Sequence, residues 1–295
     1  MSDVEFNRLA GSSLQGGLTL VKGSLQLSGL FVVQQYLRLF LKQEYAVVLV
    51  TAEQSLDHYK YTAKKLGLSL AQFQQTGHLV CVEPPTAPVP GSSDASGSAP
   101  SSERAGGAVG GGSGSRLQRL AAAVAAAVAQ RPEAAAGCAV LVDSLTHLVP
   151  LASSRQEWSA FLHHCATAAA APQAGQAQRP GCVVAGVYGD VAEDRPWLAA
   201  LEHRANVVLE LEPLPGRVAD VDGVATATRR CGGGTALGCA AAAGPALGSS
   251  LQGAASAAAA PAPAGGWAPL RQSLYFRSTE LAVRWMAGVT DRELL

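Results

Sequence analysis

Apolar positions recur along the chain in two ways: as short unbroken runs, and at every third or fourth residue over longer stretches. The runs at 46–50, 79–82, 139–142 and 182–187, unbroken by any charged or polar side chain, predict strands, because four to eight such residues suit a strand buried on both faces; 18–21 and 206–211, mostly apolar, predict two more. Between them, helical spacing predicts a helix over 30–42, where Val33, Leu37, Phe40 and Leu41 share one side. Further helices are predicted at 55–66, stopped by Gly67, at 69–75, and at 158–171. One more covers 117–130, where Leu117, Leu120, Val124 and Val128 form a narrow apolar face and Pro132 closes the segment. Strands apolar on both faces and separated by helices imply an α/β fold with a mostly parallel central sheet flanked by helices. The C-terminal part changes character. An Asp222-Gly223 turn between β-prone segments over 217–229, and two strands over 274–285 meeting near Ser278 and Thr279, predict an antiparallel extension.

Composition changes this picture in two places. Pro, Gly, Ser and Ala dominate 84–115, and Ala and Gly dominate 231–269, so neither stretch can bury enough surface to offset the entropy of ordering it. Both read as disordered loop insertions in a single domain spanning 1–295. Without them roughly 220 residues remain, which suits one domain better than two.

Charge narrows the function classes. Lys plus Arg and Asp plus Glu are 22 each, so any contact with nucleic acid or an anionic membrane depends on a local patch. No segment approaches the ~20 apolar residues of a membrane-spanning helix, and Asp3 and Glu5 stand where a secretory leader needs a basic start. The six cysteines include no C-x-x-C pair, which reads as reduced, structural cysteine in the cytoplasm, with the nucleus as a second compartment.

A strand, a glycine-bearing loop and a helix near the N-terminus form the setting of a phosphate-binding loop, G-x-x-x-x-G-K-[ST]. Here the loop runs Gly23-Ser24-Leu25-Gln26-Leu27-Ser28-Gly29-Leu30. Counted from Gly23, Ser28 stands at the second glycine, Gly29 at the lysine and Leu30 at the metal-binding hydroxyl. A slip of one residue places Gly29 correctly but offers Leu30 for the lysine, and Lys22 lies on the wrong side of the loop. No bound cofactor is expected. Asp143 ends an apolar strand, where such enzymes hold Mg²⁺ through a water; the same position also suits a turn or helix cap. Glu53 follows the second strand and, with no phosphate to serve, reads as a solvated loop carboxylate.

His163 and His164 are adjacent on a helix and point about 100° apart, so they cannot readily share one ion; one is expected buried and one exposed, and no metal site is expected. His58, Lys60, Lys64 and Lys65, with Tyr59, make a basic and aromatic face suited to a phosphate backbone, or simply a solvated helix face. The sequence contains neither a G-x-S-x-G elbow nor H-E-x-x-H.

Gly17-Leu-Thr-Leu-Val, Phe31 through Lys42, Ser55-Leu56-Asp57-His58-Tyr59, Lys65 through Leu70, Gly77-His78-Leu79-Val80 and Glu83 together resemble the family of the sixth subunit of the Elongator complex. Leu141-Val142-Asp143-Ser144-Leu145 and Phe161 through Thr167 extend the resemblance. It implies a RecA-like ATPase fold with a degenerate phosphate loop and no catalytic role. It also implies a heterohexameric ring with the fourth and fifth Elongator subunits, associated with the catalytic part of Elongator. That ring binds tRNA and supports modification of the wobble uridine (U34) at its 5-position. Two other readings fit the residues: a divergent RecA-like ATPase acting through Asp143, and a binding scaffold like degenerate recombinase paralogues.

Overall fold

A computed structural model describes residues 2–10, 16–85, 115–171, 181–214, 221–229, 270–278 and 283–286. Most of both predicted insertions, 86–114 and 231–269, lies outside the described residues. Ser115 does not belong to the first insertion. Its hydroxyl accepts from Gln118 N–H while the Gln118 side chain returns to the Ser115 N–H, a reciprocal cap that starts a helix.

Nine strands form one sheet. They are β1 (Gly17–Gly23), β2 (Ala46–Val50), β3 (Leu79–Val82), β4 (Cys138–Val142), β5 (Gly181–Tyr188), β6 (Val207–Pro213), β7 (Gly223–Arg229), β8 (Leu270–Ser278) and β9 (Val283–Met286), in the order β3-β2-β4-β5-β1-β6-β7-β8-β9. The first six run parallel and the last three continue antiparallel. Strands β2 and β4 are buried at every position, as their unbroken apolar runs require.

Helices cover the parallel part on both faces. One core joins α1 (Ser2–Ala10), α2 (Leu30–Lys42), α3 (Leu56–Lys65) and α4 (Leu70–Gln75) to one side of the sheet. A second joins α5 (Arg116–Ala129), α6 (Arg155–Ala170) and α7 (Arg195–Arg204) to the other. Beyond β6 only the first core continues: Ala225, Ala227, Leu274, Phe276, Val283 and Trp285 point into it. There Phe6 packs on Tyr36 and Trp285 with ring centroids 5.1 and 5.2 Å apart, and the Arg229 guanidinium donates to Leu9 O at 3.0 Å.

Three expectations need correction. Asp222-Gly223 is not a turn within a hairpin, because Gly223–Arg229 is one strand paired with β6. Asp222 instead fixes its start by donating its N–H to Phe276 O and accepting from Ser278 N–H. His163 and His164 are both exposed, since Phe161, Leu162 and Cys165 already fill the buried side of α6. Glu53 is only 13% exposed, not solvated.

Candidate functional site

Parallel strands bring the loops that follow β1, β2, β4 and β5 to one edge, the place where open α/β sheets bind ligands. The loop after β1 holds Gly23, Ser28, Gly29 and Leu30 as the sequence places them, but its shape is not that of a cradle. Ser24 and Leu27 exchange backbone hydrogen bonds at 3.0 and 3.1 Å, so the loop closes on itself. A Cβ on Gly23 would lie 2.6 Å from Gly29 N and 2.8 Å from Leu27 O, which leaves no room inside it. The Leu30 N–H, at the start of α2, is taken by Ser28 Oγ at 3.2 Å.

An anion of the chain itself occupies one amide that a phosphate would need. Leu25 N–H donates to the two Asp190 oxygens at 2.9 and 3.2 Å. Nor could a lysine simply be restored, because a Cβ at Gly29 would sit 2.9 Å from Val21 Cγ1. Lys22 points to the opposite face, where Glu210 and Glu202 hold its ammonium at 2.8 and 2.9 Å. Burial alone would lower the Lys22 pKa; the two carboxylates outweigh it and the net shift is upward.

Asp143 is 2% exposed and its carboxylate is fully engaged. It accepts from the N–H groups of Ala52, Glu53 and Gln54 at 2.7, 3.1 and 3.1 Å and from the Tyr59 hydroxyl at 3.3 Å. Burial pushes its pKa up against these donors, and burial together with Asp143 raises that of Tyr59. The carboxylate therefore pins the loop between β2 and α3, with three donors on Oδ2 and the Ala52 amide on Oδ1.

A polar chain crosses the mouth of the site. Tyr188 OH donates to Glu53 Oε1 at 2.7 Å and lies 3.2 Å from Ser28 Oγ. His147 Nδ1 sits 2.9 Å from Ser144 Oγ and 3.8 Å from Glu53 Oε2. Burial and Glu53 raise the Tyr188 pKa, opposed by Ser28. Sequence reasoning missed Tyr188, His147 and Asp190 because no motif spacing links the end of β5 and the turn after β4 to Ser28, Leu25 and Glu53, far away in the chain. The residues present do not fit a nucleotide's phosphates: the loop is filled, the amides of Ser24, Leu25, Leu27 and Leu30 are answered internally, and Glu53 and Asp190 bring negative charge. Among the described residues no group of His, Cys, Asp or Glu is arranged to hold a metal ion.

The predicted basic face on α3 divides into two stripes. Lys60 pairs with Asp57 at 3.4 Å and shares a stripe with exposed Lys64. Lys65 leans over the Tyr61 ring, 4.5 Å from its centroid, and half-buried His58 packs edge-on against Tyr59.

A six-stranded parallel sheet covered on both faces, with a phosphate-loop position at its switch point, defines a RecA-like α/β protein whose loop is plugged by its own side chains. A model of the Elongation complex protein 6 family matches residues 6–236, and the chain belongs to that family. It is 36% identical over 84 residues to human Elongator complex protein 6 and 38% identical over 69 residues to the rat protein. The matches cover 27% and 23% of this chain and 31% and 26% of those relatives, so the aligned stretch spans under a third of either. Among solved structures, the uncharacterized protein PH0321 of Pyrococcus horikoshii, crystallised with an unknown peptide, superposes with a TM-score of 0.54 at 10% identity. That superposition covers 97% of this chain and 98% of that one. It carries the fold alone. No helix among the described residues is long and apolar enough to cross a membrane.

Proposed function

We propose that this chain is a non-catalytic subunit of the Elongator complex. It assembles with the fourth and fifth subunits into a heterohexameric ring that binds tRNA, associates with the catalytic subunits and supports 5-position modification of the wobble uridine. The family match over 6–236 carries this reading. The plugged phosphate loop and the use of Asp143 to hold the loop after β2 support its non-catalytic half, since the loop lacks the lysine and hydroxyl that would serve a nucleoside triphosphate. A ring of RecA-like protomers uses two different surfaces on each chain, a heterologous arrangement that closes by rotation. The work is done in the cytoplasm and nucleus.

Co-expression with the fourth and fifth subunits should give a particle of six chains, and cells lacking this gene should lose 5-modified wobble uridines from their tRNA. Unchanged nucleoside levels in such cells would overturn the reading.

A further inference from the structure

Among the described residues three large apolar side chains are exposed: Val4 at 68%, Leu25 at 72% and Tyr61 at 60%. A scattered exposed leucine is ordinary on a protein surface. Leu25 differs in how firmly the chain holds it. It sits at the tip of the loop after β1, whose ends Ser24 and Leu27 are tied by their reciprocal backbone bonds and by the Ser24 hydroxyl, which accepts from Leu27 N–H at 3.1 Å. Three further links join this loop to the end of β5 and the loop beyond it. Leu25 N–H donates to the Asp190 carboxylate, Gly189 N–H donates to Gly23 O at 2.8 Å, and Ser28 Oγ meets Tyr188 OH. Val4 and Tyr61 lie instead on the outer sides of α1 and α3, and the Tyr61 ring already carries the Lys65 ammonium.

The surroundings of Leu25 decide what kind of partner fits. The donor on Asp190 is a neutral amide, which holds the carboxylate without cancelling its charge. Lys22, at the end of β1, is outnumbered by its two glutamates. Farther out, Glu193 and Glu212 are exposed, and Arg195 at the start of α7 is the cation of that stretch. The whole chain is balanced at 22 charges of each sign, so this acidic excess is local. An acidic rim repels a phosphate backbone and attracts arginine or lysine. The occupant is therefore a protein surface with a basic rim, not tRNA.

We infer that Leu25 is the anchor of a subunit contact, entering an apolar pocket rimmed by arginine or lysine on the neighbouring, different chain of the ring. The inference rests on the proposed function for the existence of that ring. An apolar centre with a polar, charge-matched rim is the common anatomy of such contacts. A side chain carried on a backbone fixed in this way meets its partner without the ordering cost that a mobile loop would add. The bonds that close the loop against a nucleotide thus have a second effect, because they also hold the leucine out.

The test uses the six-chain particle made by co-expression with the fourth and fifth subunits. With Leu25→p-benzoylphenylalanine, irradiation should join this chain to one of those two subunits. A link to a second copy of this chain, to added tRNA transcript, or to nothing overturns the contact. Leu25→Asp should raise the dissociation constant of the particle about tenfold or more, read by mass photometry on dilution. Val4→Asp, the same change at a similarly exposed residue, should stay within twofold of the parent; an equal loss there overturns the assignment to Leu25. Asp190→Asn keeps an oxygen for the Leu25 amide and removes the charge, so it should weaken association about threefold and make it less sensitive to salt between about 50 and 300 mM. The isolated Leu25→Asp chain should melt with the parent, because the side chain is exposed; a large drop would make Leu25 an internal packing residue and overturn the contact. A parent particle that forms while Leu25→Asp assembles within twofold of it overturns this contact and leaves the proposed function standing. Failure of the parent chains to assemble overturns both.

Discussion

The two ends of the sheet treat charge in opposite ways. At the edge of the parallel part, each charged group around the loop after β1 is answered from within. Asp143 has four donors, Asp190 has the Leu25 amide, Glu53 has Tyr188, and Lys22 has two carboxylates. On the antiparallel ribbon, two arginines face one another across a strand pair. A cluster whose charges answer one another acts as structure, tying the strand ends together. The ribbon instead carries its arginines at paired strand positions on the side away from the first core.

The largest expected effect separates the two regions by pH. Cys138, Cys165 and Cys182 all lie in the parallel part, and burial pushes their thiols up from 9.0 to about 11, about 12 and about 12. A raised native pKa means the unfolded chain releases protons first, so the stabilisation is complete below pH 9 and is lost as pH rises towards 11 and 12. At pH 10 each thiol should remove about 1.4 kcal/mol, or about 4 kcal/mol together. Denaturant midpoints at pH 7 and pH 10 check this, and a Cys165→Ala variant should show a shallower loss.

Next in size is Asp143→Ala, which leaves three backbone N–H groups and the Tyr59 hydroxyl without their acceptor. A cost of about 3 kcal/mol or more follows from stranding several buried donors at once. Chemical denaturation measures it; a variant as stable as the parent would mean that the loop after β2 does not depend on this carboxylate. Smaller is Gly29→Lys, the change that restores the letter of the phosphate-loop motif. It should cost about 1–3 kcal/mol through crowding of Val21, and calorimetry should detect no micromolar ATP binding, since the loop interior and the Asp190 carboxylate are unchanged. The smallest is Tyr188→Phe, which breaks the link between Ser28 and Glu53 for about 1 kcal/mol.

The parallel half was legible because its signals are local. The runs at 46–50 and 79–82 and the helix over 30–42 match β2, β3 and α2 residue for residue, since β2, buried on both faces, must be apolar throughout, the edge strand β3 keeps an apolar run, and α2 presents one continuous apolar side. Helix α1 was not legible. It has few apolar positions, and Phe6 and Leu9 acquire their meaning only against Trp285 and the arginine of β7. Helix α7 was missed because Trp197, Leu198 and Leu201 give too short a pattern behind Pro196. In the site, the loss of the lysine could be read from spacing, but the carboxylate that replaces the phosphate could not, because Asp190 lies 165 positions from the amide it binds. The opposed arginines likewise depend on a register that no single strand contains.

The docking of α1 on the last strand has a consequence for synthesis. Phe6 leaves the ribosome first among these residues, and Trp285, against which it packs, emerges only after almost all the intervening chain has been made. At about 5–20 residues per second the interval is roughly 15 to 60 s. Throughout it the apolar side of α1 and the floor of the first core beneath β8 and β9 lack their cover. A nascent chain in this state is a client for a chaperone or for a partner subunit translated nearby, and a stop codon before β9 would make that exposure permanent.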